Sequence, residues 1–357
     1  MKINCLILSF FVLFLLFSAC KKDSSKTVKP AQTVSLNKDL LTFSINGQLI
    51  GATIDTIHHK IQAVVPRAFD MHQLTANFTL SPGTNAKINN TTVTTGSVFD
   101  FSQPVNFTLL SSDSKSSLNF QVLVNTDLQY FGVLGQVVTE NSLDRNYNFY
   151  FDQFDGSQYQ AINCGPTVST MALKWADSTF AKTPADARVR IPESGGWWYT
   201  NDIQYYLGQY GVNTEIDTLD NVAAVVKKSI DNGNLVILCL DMFGVPKNSL
   251  DYEHVQKFYE TQSSGWGHFL LVKGYKQTST NFYLEIYDPY SEHSTYNVIT
   301  TGQLKGRDRY YVDFNIQFAT SKWWPYAMIV APKGQTVTSS KIKLNSLHKP
   351  VPVAWGR

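Results

Sequence analysis

The sequence predicts an all-β sandwich followed by an α+β domain, and three observations carry that prediction. Residues 37–126 hold short stretches rich in Val, Ile, Phe and Thr, separated by Asn46-Gly47, Ser81-Pro82-Gly83 and Asp113-Ser114-Lys115. Several short strands at such spacing read as a sandwich. Between 165 and 231 the apolar residues recur at helical period, and from 235 to 332 they gather into strand-like runs. Helices first and antiparallel-looking strands later make an α+β order.

The chain opens with Lys2, an apolar stretch over residues 5–17, and Ser18-Ala19-Cys20. The stretch is shorter than the ~20 residues of a membrane span and ends on small residues, so 1–19 reads as a secretory signal. The segment resembles the bacterial lipoprotein signal, in which the cysteine after the small residues takes diacylglycerol and becomes the N-terminus. Phe17 departs from the usual Leu. The resemblance implies lipidation at Cys20 and a place in the bacterial cell envelope, on the outer membrane, periplasmic or surface side. Residues 20–36 are polar and make a tether. No other segment is apolar over a membrane thickness.

Charge excludes one class of function. The chain has 30 basic and 28 acidic residues; losing Lys2 with the signal leaves 29 against 28, a net charge of +1. That is no nucleic-acid footprint. Four cysteines are present. Cys5 leaves with the signal and Cys20 is the lipid site, so Cys164 and Cys239 remain. Cys239 lies in NLVILCLDM, a buried-strand run, and reads as a small core hydrophobe, with a disulfide to Cys164 as the alternative. No clustered Cys/His spacing suggests zinc, and no metal or cofactor is expected.

In the β module, His58, His59 and His72 read as surface residues. Adjacent histidines on a strand point to opposite faces and do not share a metal. In residues 127–334, a helix is expected over 165–177 with Val168, Met171, Ala172 and Trp175 on one face. TNDIQYYLGQYGV reads as a helix closed by Gly211, and LDNVAAVVKKSIDNG as one closed by Asn-Gly. Strands are expected at LVILCLDM, HFLLVKGY, FYLEIYDPY, RYYVDF and YAMIVAP. The tail, 335–357, is polar and basic.

The chemistry gathers around Cys164. Gly165-Pro166 follows it and opens the helix, so the thiol sits at a helix N-terminus, where unsatisfied N–H groups favour a thiolate. Its own N–H is placed to stabilise an oxyanion. A base is expected at His268, in SSGWGHFLLV, where a loop meets a strand. Its rival, His254 in DYEHVQKF, reads as helical and exposed. Asp288, at the end of the next strand before Pro289, is placed to orient the imidazole. Gln158, six residues before Cys164, offers a second oxyanion donor. Trp197, Trp198 and Tyr199, between nucleophile and base, and Trp266, beside the base, are candidates to line a substrate cleft, with core packing as the alternative for the aromatic insertion.

Taken in order, Gln-x5-Cys-Gly-Pro, Gly-His with an apolar strand, and Tyr-Asp-Pro resemble the papain-fold cysteine peptidases that process double-glycine leader peptides of bacteriocins, and their free-standing relatives. The resemblance covers roughly 155–330. It implies an α+β papain-like cysteine peptidase domain with Gln158, Cys164, His268 and Asp288 as oxyanion donor, nucleophile, base and orienting acid, acting on a peptide or protein. The membrane helices and ATPase of the transporter-linked members are missing, so double-glycine specificity is not implied. The segment before it resembles the immunoglobulin-like modules that follow the lipid anchor of bacterial surface lipoproteins, on FSING, VVPRAFDMHQLTANFTLSPGT and FDFSQPVNFTLLSSDS. That module is expected to serve as a spacer or to meet an envelope or glycan partner. Two other readings stand beside the enzyme: a non-catalytic binding or adhesive lipoprotein on a peptidase scaffold, and a structural protein with Cys164 paired to Cys239.

Overall fold

The structure, a computed structural model, describes residues 38–191 and 196–337. The signal, Cys20, the tether and the tail from 338 lie outside the described residues.

The first unit is all β. Its strands are β1 (Leu40–Ile45), β2 (Ile50–Asp55), β3 (Lys60–Val65), β4 (Leu74–Leu80), β5 (Asn85–Ile88), β6 (Thr91–Val93), β7 (Ser97–Phe99), β8 (Val105–Leu110) and β9 (Ser117–Thr126). They form two sheets, β1-β4-β7 and β2-β3-β9-β8-β5-β6. Alternation fills the core between them: Val105, Phe107 and Leu109 of β8 point inward. Phe107 meets Phe43 and Phe78 edge-on at 5.8 and 5.0 Å between ring centres. His58, His59 and His72 are exposed, as expected, but the adjacent pair is not on a strand. They occupy the turn between β2 and β3, where His59 has φ 52° and His58 pairs with Asp55 at 2.7 Å.

The second unit is a layered α+β domain. After α1 (Asp127–Tyr130) and β10 (Val137–Ser142) come α2 (Cys164–Ala176), α3 (Pro184–Arg190), α4 (Thr200–Gln209), β11 (Thr214–Thr218), α5 (Val222–Asp231) and β12 (Leu235–Asp241). Then follow β13 (Gly267–Thr278), β14 (Phe282–Tyr287), β15 (Arg309–Val312), α6 (Asp313–Ser321) and β16 (Tyr326–Val330). One antiparallel sheet runs β11-β16-β12-β13-β14-β15, with β10 also on β13. Both faces are covered, which explains why β12 reads as a continuous apolar run. Leu235, Ile237 and Cys239 of β12 join Phe269 and Leu271 of β13 against α2. Val236, Leu238 and Leu240 join Leu270 and Val272 against α5 and α6.

Three local readings change. RYYVDF is not one strand: β15 stops at Val312 and α6 starts at Asp313, burying Ile316 and Ala319. His254 is neither helical nor exposed. It lies in a loop, buried, with its ring stacked between Phe131 and Tyr296 at 4.1 and 4.0 Å. Burial and the nearby Arg309 push its pKa down to about 4, so it is neutral. The start of the polar tail is docked: Val337 is buried in the core cluster beside α5, and Asn213 donates to the Gln335 carbonyl.

A buried charge cluster fastens β13 to β14. Lys273 Nζ donates to Glu285 at 2.6 Å and to Asp144 at 2.8 Å, and lies 3.0 Å from Asp308. Burial opposes the ammonium charge, but the carboxylates of Glu285 and Asp308 outweigh it and hold the lysine pKa well above its usual value. Lys273→Met strands the buried Glu285 carboxylate and is expected to cost about 3–5 kcal/mol in urea unfolding. Adding Glu285→Gln should recover much of the loss; a single variant as stable as the parent would remove this fastening role.

Candidate active site

The thiol is set by the start of α2. A short 3₁₀ turn, Gln160–Ile162, leads into Asn163, which makes no side-chain cap, so the first N–H groups of the helix stay available around Cys164. Pro166 suits the first turn because its missing N–H has no helical partner there anyway. Gly165 is required by packing: a Cβ on it would stand 2.6 Å from Cβ of Trp198. Arg188 of α3 braces the approach, donating to Asn163 Oδ1 at 2.7 Å and to the Ile162 carbonyl at 3.1 Å.

The imidazole is set by the opposite layer. His268 stands at the start of β13, opposite Leu240 of β12, and on the strand face of Leu270 and Val272. The loop before it is folded by Asp241, which accepts from the N–H of Gly265 at 2.8 Å and of Trp266 at 3.0 Å. Trp266 lies nearly parallel to the imidazole, 6.4 Å between ring centres. His268 donates from Nε2 to Asp288 Oδ1 at 2.8 Å, and the Cys164 thiol lies close enough to the ring for each to shift the other's titration. Nδ1 is therefore the nitrogen that faces the thiol.

Asp288 follows directly after β14 and is wholly buried. Its Oδ1 also accepts from the Tyr290 N–H at 2.9 Å, and its Oδ2 accepts from the phenols of Tyr311 and Tyr259 at 2.7 and 3.0 Å. Its backbone is clamped too. Asp288 N–H donates to the Gly306 carbonyl at 2.8 Å and the Tyr150 phenol donates to the Asp288 carbonyl at 2.8 Å. Ser291 Oγ lies 2.6 Å from that phenol and accepts from Gly306 N–H at 2.7 Å. A Cβ on Gly306 would come within 2.1 Å of the Asp288 carbonyl oxygen.

These contacts decide the charges. Burial pushes the Cys164 thiol up, but the hydrogen bond and charge of His268, with the N–H groups of Phe269 and Gly165, bring it below its ordinary value. Burial pushes His268 down, yet the Asp288 carboxylate and the thiol outweigh it and raise the imidazole to about 10. Burial disfavours the Asp288 carboxylate, but His268, Tyr311 and the Tyr290 N–H hold it below the usual range. The thiol is lowered and the imidazole raised, so both shifts run toward a thiolate–imidazolium pair, and the two groups titrate as a unit.

The remaining expectations divide. Cys164 and Cys239 are both free thiols, which removes the disulfide reading. Cys239 is buried in β12 with its pKa pushed well up by burial and by the Cys164 charge. Trp198 is 5% exposed and packs on Gly165 and Tyr206, so it is core rather than cleft wall. Trp197, Tyr199 and Trp266 are half-buried. Gln158 is exposed on the turn before Cys164. Gln153 was not singled out by the sequence reading, yet it is 1% exposed, its N–H donates to the Pro289 carbonyl, and its Nε2 donates to the Gln160 carbonyl. Its Oε1 has no partner among the described residues. The signal was a polar residue inside the aromatic run NFYFDQF.

Residues 146–315 match the Peptidase_C39 like family, and residues 40–124 match the family described as SGBP, N-terminal. No curated protein matches. Among solved structures, the chain is similar to one described as a C39-like peptidase from Bacillus anthracis (14% identity, 55% of this chain and 100% of that one, TM-score 0.37). It is also similar to the peptidase domain of Streptococcus ComA, a bi-functional ABC transporter of a quorum sensing pathway (16% identity, 52% and 99% coverage, TM-score 0.30). The family match spans Cys164, His268 and Asp288, and supports a peptidase-like domain in the second half of the chain.

Gly306→Ala tests the clamp without touching the charged groups. It is expected to move Asp288 off His268 and to slow alkylation of Cys164 at neutral pH by at least tenfold, read by mass spectrometry. Unchanged alkylation would show that the Gly306 contact does not position the pair.

Proposed function

We propose that this chain is a lipid-anchored envelope protein whose second domain cleaves peptide or amide bonds with Cys164, His268 and Asp288. The observation that carries this reading is the 2.8 Å His268–Asp288 hydrogen bond, with the Cys164 thiol near the same imidazole at the start of α2. The match of residues 146–315 to a peptidase family supports the reaction class. Lipidation at Cys20 rests on the signal-like start of the sequence, and the immunoglobulin-like character of the first unit on its sequence resemblance.

The steps follow from the charges. Thiolate Cys164 Sγ attacks the carbonyl carbon, and the carbonyl oxygen takes the negative charge. The Cys164 N–H and the helix start face that charge. We assign the second donor to Gln153 rather than Gln158, because Gln153 is buried between Pro289 and the Gln160 turn and its Nε2 keeps one hydrogen free. As the C–N bond breaks, Nδ1 of His268 gives its proton to the leaving nitrogen, leaving a thioester on Cys164. The neutral imidazole then draws a proton from water, the hydroxide oxygen attacks the thioester carbonyl, and the acid and the thiolate–imidazolium pair are released. No step needs a metal or cofactor.

The test uses residues 27–357 and a mixed-peptide digest, with new termini read by mass spectrometry. Wild type is expected to produce cleavages that Cys164→Ala lacks. Gln153→Ala should lose about 10²–10³-fold in turnover, the usual effect of removing an oxyanion donor, while Gln158→Ala stays within about twofold. Equal cleavage by Cys164→Ala, or none by any form, overturns the peptidase reading; the reverse order of the two glutamines overturns the assignment of the donor.

A further inference from the structure

Two phenols converge on one carboxylate oxygen behind the imidazole. Tyr311, on β15, is wholly buried and donates to Asp288 Oδ2 at 2.7 Å. Tyr259, in the loop before β13, is buried and donates to the same oxygen at 3.0 Å. The other oxygen serves His268 and the Tyr290 N–H. A buried carboxylate needs donors, but the sharing is lopsided: Oδ1 faces the imidazole, and among the described residues Oδ2 accepts only from the two phenols.

We infer that Tyr259 and Tyr311 are positioning residues that take up the Asp288 charge at the moment His268 gives its proton to the leaving group. This rests on the peptidase reading above. While His268 is charged, Asp288 is neutralised by it. Once the proton has moved from Nδ1 to the leaving nitrogen, Asp288 stands as an uncompensated anion in a dry site, where such a charge is costly. Hydrogen bonds to an ionised group are worth about twice those between neutral groups, so the phenols favour the state after transfer over the state before it. They make the imidazolium a better acid without removing its partner.

The sign follows. Without one phenol, the state with neutral His268 beside ionised Asp288 loses more than the paired state, so His268 holds its proton to higher pH. Other groups face the same pocket. Cys164 lies on the far side of the ring, and Tyr290 and Trp266 pack beside it. Tyr150 holds the Asp288 carbonyl. Lys257, buried and bonded to the Met242 carbonyl and Thr261, feels the charges of Glu260, Asp241 and Asp288; burial lowers it to about 8. Its titration falls below that of His268 and is separated by following the imidazole itself.

The experiment compares wild type, Tyr311→Phe and Tyr259→Phe. Iodoacetate and iodoacetamide alkylate Cys164 without needing proton transfer, and the anionic reagent is favoured only while His268 is charged. Ring ¹⁵N shifts of His268 are recorded over the same pH range. In wild type the iodoacetate preference is expected to fade as pH rises toward about 10. In each Phe variant it should fade about one pH unit higher, as expected for losing one hydrogen bond to a charged group. Alkylation at pH ~7 should stay within about twofold, because the ion pair survives. A transition that stays in place or moves down, in whichever variant folds, overturns the inference. An ordinary thiol in wild type fails differently, since it overturns the peptidase reading before any phenol is removed.

Discussion

A carboxylate shut away from water at the end of β14 is the constraint on which the site depends. Buried alone, Asp288 would take up a proton. It stays ionised because the imidazole of His268, a backbone N–H and two phenols all donate to it. Because it stays ionised, the imidazole of His268 is raised to about 10, and the charge of His268 brings the thiol of Cys164 below its ordinary value despite its burial. Burial thus acts in two ways: it opposes each charge singly and strengthens the attractions among them.

The sheet explains why these groups meet at all. Cys164 belongs to the layer over one face of β12 and β13, and His268 lies on the strand parity of the other face. They reach each other only because His268 opens β13 and Cys164 opens α2, so both stand at ends of elements. The Asp241-bound loop before His268 and the Gly306 contact beneath Asp288 hold those ends in place. Functional groups sit at edges of a rigid scaffold, where the backbone is free to present them.

Much of this was legible in the sequence because the signals are local. Gly-Pro after Cys164, the Gly-Trp-Gly loop before His268 and Pro289 after Asp288 each mark an element boundary, and helix and strand periods were plain in the second domain. What was hidden depended on contacts across the chain. Tyr311 and Tyr259 lie 23 and 29 residues from Asp288 and look like ordinary core aromatics. His254 has polar neighbours in sequence, yet two rings from distant segments enclose it. The 3₁₀ turn between Gln158 and Cys164 leaves that glutamine on the surface, a rotation that residue spacing alone does not encode. α6 escaped notice because its short apolar pattern follows directly on β15.

The central claim is that Cys164 is a thiolate at neutral pH, and the ultraviolet absorbance of the thiolate reads it directly. The signal to record is wild type minus Cys164→Ser across pH, which also cancels the neutral, buried Cys239. Since the folded-state thiol is lowered, the thiolate is present above that lowered value and is lost only as acid protonates it. The account predicts a full thiolate signal at neutral pH that persists well below the ordinary thiol range near ~8.5. A signal that appears only as pH rises through that ordinary range would contradict it, because the His268–Asp288 pair would then be holding no charge against the sulfur.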